Sequence, residues 1–124
     1  MEVVMNLSWA RLMVKDLDAS IKFYEEVVGL PVKDRQPVPG MQIAYLGDDN
    51  GLLVLICGDA PHYDKDKEVG NGMALGFVVD SLEEKISLLH ENGYETDGVI
   101  YDVQSAQFFF AKDPDGYVVQ FDKR

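Results

Sequence analysis

The chain has 124 residues, 47% of them hydrophobic, with 22 acidic against 11 basic side chains and a net charge of −11. That length fits one compact domain, and the negative field repels phosphate backbones, which excludes nucleic acid as an expected partner. No apolar run reaches the ~20 residues that a membrane span needs, the opening MEVVMNLSWARL lacks the basic and small-residue features of a signal peptide, and the single cysteine, Cys57, has no internal disulfide partner, so a cytoplasmic protein is expected.

LSWARLMV (7–14) has the β-rich, partly alternating character of a strand, and DLDASIKFYEEVVG (16–29) changes to helical spacing. In that helix Ile21, Tyr24 and Val28 share one stripe, Asp16 or Asp18 serves as N-cap, and Gly29 supplies the left-handed end. Three short strands follow: PVKDRQ (31–36), MQIAYL (41–46) and LLVLIC (52–57). PVPG (37–40) separates the first two, and DDNG (48–51) forms a hairpin turn because Asn-Gly accepts positive φ at low cost.

The same grammar returns after residue 72. MALGFVV (73–79) reads as a strand, and DSLEEKISLLHENG (80–93) as a helix with a Ser81-x-x-Glu84 capping box, an apolar stripe of Leu82, Ile86 and Leu89, and a terminal Gly93. YETDGVIYDV (94–103), AQFFFAK (106–112) and YVVQFD (117–122) are the remaining strands, the last two joined by the turn DPDG (113–116). Val14-x-Asp16 aligns with Val78-x-Asp80 and Gly29 with Gly93, a weak internal repeat at an offset of 64 residues. The expected organisation is a single α+β domain of two βαβββ modules, about 1–57 and 73–124. The polar segment GDAPHYDKDKEVGNG (58–72) joins them as a connector or lid. Two such modules side by side predict an open, curved, mixed sheet around a cleft suited to a small molecule.

Alternation along each strand predicts which residues face the cleft. Trp9, Arg11 and Met13 point one way along the first strand, while Ala10, Leu12 and Val14 suit a helix-packed core. Leu53, Leu55 and Cys57 share a face, as do Ala74, Gly76 and Val78, and then Val118 and Gln120; Tyr45, Tyr101, Phe108 and Phe110 complete the inventory. The candidate ligand-binding set is therefore Trp9, Arg11, Tyr45, Leu55, Cys57, Ala74, Tyr101, Phe108, Phe110 and Gln120. Trp9 offers a stacking surface or fills a core or subunit interface. Arg11 either pairs with an anionic or carbonyl group or makes a salt bridge, and Gln120 either orients a ligand or bridges to a neighbouring strand.

Other chemistry finds little support. His62 falls in the connector and His90 near the end of the second helix, both on surfaces expected to be wet. DKDKE (64–68) resembles the start of a calcium loop, but Val69 and Leu75 stand where that loop needs Gly and Glu. Cys57 reads as a small buried hydrophobe, and no nucleophile elbow, phosphate loop or dinucleotide fingerprint is present.

The duplicated plan, with VKDLDASIKFYEEVVGLPV (14–32) near the start and FFFAKDPDGYVVQF (108–121) near the end, resembles the vicinal oxygen chelate superfamily. That superfamily groups glyoxalase I, extradiol dioxygenases, fosfomycin-resistance enzymes and bleomycin-resistance binding proteins. The resemblance implies that a divalent ion, where one is used, is held at the positions of Trp9, Leu55, Ala74 and Gln120. Three of these have no ligating atom and an amide oxygen is a weak donor. The resemblance therefore implies a homodimeric, metal-independent protein without cofactor or catalytic residues, which sequesters an aromatic or cationic compound. Alternatives are a metal-dependent lyase, isomerase or dioxygenase with other ligands, and a regulatory module whose cleft is filled by its own side chains.

Overall fold

The structure is a computed structural model that describes residues 7–48, 51–59, 70–98, 100–103 and 106–123. The chain divides into two compact units, Met1–Lys67 and Glu68–Arg124. The first contains β1 (Trp9–Met13), α1 (Leu17–Lys22), a π-helical segment (Phe23–Val28), β2 (Val32–Val38), β3 (Met41–Asp48) and β4 (Gly51–Gly58). The second contains β5 (Ala74–Val78), α2 (Leu82–Glu91), β6 (Tyr101–Val103), β7 (Ala106–Lys112) and β8 (Val118–Lys123). Each has one four-stranded open sheet, with strand orders β1-β4-β3-β2 and β5-β8-β7-β6. The first strand of each sheet runs parallel to the last, and the other pairings are antiparallel. This is the mixed α+β class expected from the strand and helix periods.

Both helices start where side-chain oxygens replace missing backbone acceptors. The Ala19 amide donates to Asp16 Oδ1 at 3.1 Å, and the Glu84 amide donates to Ser81 Oγ at 3.2 Å. The second cap lies at Ser81, one residue beyond the Asp80 that the repeat aligns with Asp16. Gly29 has φ 101°, and its amide reaches back to the Tyr24 carbonyl at 3.1 Å. That five-residue reach belongs to the π register.

The widened turn moves the buried stripe. Leu17, Ser20, Phe23, Tyr24 and Val27 are buried, whereas Ile21 and Val28 are only partly covered. Ideal α spacing put Ile21, Tyr24 and Val28 together. The π segment instead turns Phe23 and Val27 inward, and Phe23 meets Tyr24 edge to face at 5.0 Å. The helix-side residues Leu12, Val14, Ala44, Leu46 and Leu55 complete this core. In the second unit, Phe109 and Phe121 stack at 5.1 Å, and Val119, Leu82 and Leu89 are buried with them.

Two turns show local chemistry carrying the chain round. Asp48 lies opposite Gly51, although Asp49 and Asn50 of the predicted Asn-Gly turn lie outside the described residues. Gly47 has φ 116°, and a Cβ there would collide with the Gly51 carbonyl oxygen. In DPDG, the buried Asp113 carboxylate accepts from the amides of Asp115 and Tyr117, both at 2.9 Å, and Gly116 donates to the Asp113 carbonyl at 3.0 Å.

The predicted strand 94–103 is a correction. Its first part is a loop held by one bridge, Thr96 to Ala111, and only Tyr101–Val103 forms a strand. The Gly98 amide bonds back to Thr96 Oγ1 at 3.2 Å and Gly98 has φ 74°, a turn that interrupts the ladder. The 58–72 connector, with His62 and DKDKE, falls mostly on residues 60–69, outside the described residues.

Replacing Asp113 with Ala leaves two turn amides without their acceptor. The expected cost is about 1–3 kcal/mol, read as a lower midpoint in urea unfolding with an unchanged slope.

Candidate functional site

Residues directly opposite one another on paired strands project to the same side of a sheet. Trp9 lies opposite Leu52 and Arg11 opposite Val54. Val54 in turn lies opposite Tyr45, and Ile56 opposite Ile43. These side chains therefore share the face that α1 does not cover. Trp9, Arg11, Ile43, Tyr45, Leu52 and Val54 line a hollow of about 240 Å³.

Trp9 is 50% exposed, and the Arg11 guanidinium carbon sits 4.9 Å from its ring centroid, a cation–π arrangement. The Nε of Arg11 is buried and has no hydrogen-bond partner. The salt bridge considered for Arg11 is absent among the described residues; an ion pair in this unit joins Arg35 to Asp18 at 2.6 Å on the surface.

Leu55 and Cys57 do not join this group. Leu55 lies opposite Leu12 and Ala44 and is completely buried in the helix-side core. The Cys57 thiol donates to the Lys15 carbonyl at 3.3 Å, ahead of α1. Strand parity gives the reason: counting along LLVLIC picks the wrong alternate residues, and pairing with β1 assigns Leu52 and Val54 to the Trp9 side. Ile43, Leu52 and Val54 were missed. Ile43 was legible as the residue two before Tyr45, but the other two needed the pairing.

In the second unit, the five expected residues do share a face. Gly76, Gln120 and Phe110 lie in a row across β5, β8 and β7, with Ala74 opposite Val118 and Phe108 opposite Tyr101. Tyr101 stacks on Phe108 at 5.4 Å, and Phe110 meets both edge-on at 5.6 and 5.7 Å. Gln120 donates through Nε2 to Asp122 Oδ1 at 2.7 Å, on its own strand. It therefore bonds a neighbouring side chain, not the backbone of a neighbouring strand. A further groove of about 430 Å³, lined by Tyr94, Thr96, Asp97, Phe110, Lys112 and Val118 among others, went unseen because 94–100 was read as strand.

Two phenols of this unit are shifted upward. Tyr101 has its pKa raised by a hydrogen bond to the Asp97 carboxylate, by that group's negative charge, and by burial. Tyr94 is raised by burial and by the charge of Asp113. Both phenols therefore stay protonated above their ordinary value, as donors and not bases.

The profile of the Glyoxalase/Bleomycin resistance protein/Dioxygenase superfamily matches residues 6–121. The chain belongs to this superfamily. YwbC of Bacillus subtilis (strain 168), an uncharacterised protein, is 28% identical over 120 residues, covering 91% of this chain and 93% of YwbC. A glyoxalase family protein from Bacillus cereus superposes with TM-score 0.81 at 20% identity, covering 98% of this chain and 95% of its own. TnmS3, an antibiotic binding protein from Streptomyces sp. CB03234, gives TM-score 0.78 at 21% identity over 99% and 98% of the two chains. At those identities the two solved structures show the fold.

The metal that the superfamily's chelating members use does not fit this donor set. The resemblance points to Trp9, to β4 where Leu55 is core and Val54 faces the hollow, to Ala74 and to Gln120, whose amide oxygen is a weak, uncharged donor. None is an imidazole, thiolate or carboxylate. Among the described residues, no three His, Cys, Asp or Glu side chains are grouped to hold an ion. His90 is exposed on the last turn of α2.

Replacing Asp97 with Asn removes the negative charge that helps raise the Tyr101 pKa. The pKa of Tyr101 is then expected to fall toward the ordinary 10.0, followed by its ring-proton NMR shifts against pH and assigned with Tyr101→Phe.

Proposed function

We propose that this member of the superfamily is a metal-independent binding protein that holds a small aromatic molecule in the hollow on its first sheet. One observation carries the reading: Trp9, Arg11 and Tyr45 stand on an uncovered sheet face among Ile43, Leu52 and Val54. An apolar wall with a few polar heads is the usual composition of a small-molecule pocket. The antibiotic-binding TnmS3 shares the fold, which supports a sequestering role. The cationic ligand also expected from the acidic composition suits this hollow less well, because its own charged group is a guanidinium.

Trp9 and Tyr45 supply stacking surface and Arg11 supplies charge. A cytoplasmic homodimer completes the proposal. An exposed sheet face carrying Val78, Tyr101 and Val103, which are 65%, 38% and 55% exposed, is of the kind that a second subunit covers. The competing reading, a glyoxalase-type lyase, isomerase or dioxygenase, requires metal donors where this chain carries indole, aliphatic and amide groups.

Trp9 is the single tryptophan of the chain, so its fluorescence reports on the hollow directly. Titration with a panel of one- and two-ring aromatic compounds is expected to give saturable quenching that EDTA leaves unchanged. By calorimetry, Trp9→Ala should weaken binding about tenfold or more. Binding that disappears with EDTA and returns with a divalent metal would overturn the reading in favour of the enzyme.

A further inference from the structure

The groove of about 430 Å³ on the second unit shares no lining residue with the first-sheet hollow, and its volume suits a small molecule. One bridge sets its walls. Thr96 pairs antiparallel with Ala111, and the Asp97 amide donates to the Phe110 carbonyl at 3.2 Å. That register puts Asp97 beside Phe110 and Glu95 beside Lys112, and Lys112 in turn lies opposite Val118 on β8. Neighbours across a ladder project to the same side of the sheet, and all five residues line the groove.

The charged side chains of this wall are Glu95, Asp97 and Lys112. Lys112 stands beside Glu95 and offsets it, which leaves Asp97 as the groove's net charge, in the same row as Phe110. Asp97 is exposed, so a dissolved molecule can reach it. The Tyr101 phenol hydrogen-bonds its carboxylate, and Tyr101 packs on Phe108 and Phe110. An ionised carboxylate has about four acceptor sites, so that bond positions Asp97 without exhausting it. A metal ion does not fit, because no three His, Cys, Asp or Glu side chains are grouped to hold one among the described residues. An organic ammonium needs one carboxylate for its N–H donors and an apolar wall for its body, and Asp97 stands next to Phe110 and Val118.

We propose that this groove is a second ligand site, which takes a small organic ammonium, its charged nitrogen on the Asp97 carboxylate and its apolar body against Phe110 and Val118. The site goes beyond the first-sheet reading and stands or falls independently of it. An exposed ion pair is weak, about fivefold in affinity at most, so the apolar body supplies most of the binding and Asp97 supplies the choice of charge.

Titration of the full chain with 1-naphthylmethylammonium, the neutral 1-naphthylmethanol and 1-naphthoate, followed by amide NMR shifts, tests it. The ammonium is expected to move the amides of residues 94–98 and 110–112 and to bind about fivefold tighter than the alcohol, with naphthoate weakest. In Asp97→Asn the ammonium and the alcohol should bind about equally. Equal affinity in the wild type, or shifts confined to other residues, would overturn the proposal. So would a preference that survives in Asp97→Asn, whose source would then be the overall charge of −11. Absence of binding, as when a second copy of the chain covers the groove, would overturn it too. If Asp97→Asn does not fold, the wild-type ratio and the map of shifts still decide, and quenching of Trp9 judges the first-sheet reading separately.

Discussion

The parallel pairing of β1 with β4 is the constraint on which the first unit depends. It sets Leu12 opposite Leu55 and Arg11 opposite Val54, so that one face closes under α1 and the π segment while the other keeps a guanidinium and an indole at its surface. Because side chains alternate strictly, a slip of one residue would put Arg11 into the core and Leu55 into the hollow. The burial of Leu12, Ala44 and Leu55 against Phe23, Tyr24 and Val27 penalises that slip, at ~1.5–3 kcal/mol for each large apolar side chain exposed. The second unit repeats the logic: β5 pairs parallel with β8 and places Phe77 and Phe121 on the core side, Gly76 and Gln120 on the other.

That division also separates packing from chemistry. The helix-covered faces are filled with aliphatic and aromatic side chains and contribute stability. The uncovered faces carry a different set: Trp9 and Arg11 in one unit, Gln120 and the Tyr101 cluster in the other. A sheet position that suits a metal ligand needs a side chain of fixed length ending in a basic lone pair or a negative charge. Here those positions end in π-surface, methyl groups and an amide, whose neutral oxygen is a weak metal donor, a set that suits contact recognition of a ligand better than chelation.

What was legible in the sequence follows from how local each feature is. Asp16, Ser81, Gly29 and the DPDG turn act through hydrogen bonds or backbone angles within a few residues, and all were readable, the first cap as one of Asp16 and Asp18. The first strand was readable too, because Trp9 and Arg11 contrast in polarity with Leu12 and Val14. LLVLIC was not: Leu53, Leu55, Val54 and Ile56 are all buried, so alternation carries no parity signal and only the partner strand decides which residue faces which way. The π segment was invisible because FYEEVV is an ordinary helical sequence, and its register emerges from packing Phe23, Tyr24 and Val27 together. YETDGVIYDV has β-rich composition, yet the bond from Gly98 to Thr96 breaks it into a loop and a short strand, and the groove beside it went unread.

The proposed function holds that the side chains on the first sheet's uncovered face contact a ligand directly and that no metal is chelated. Elemental mass spectrometry tests it most directly, on untagged protein purified without chelator and again after incubation with Zn²⁺, Ni²⁺, Mn²⁺ and Fe²⁺ followed by desalting. Metal far below one ion per chain in every sample is the predicted result. About one tightly held ion per chain would contradict the account.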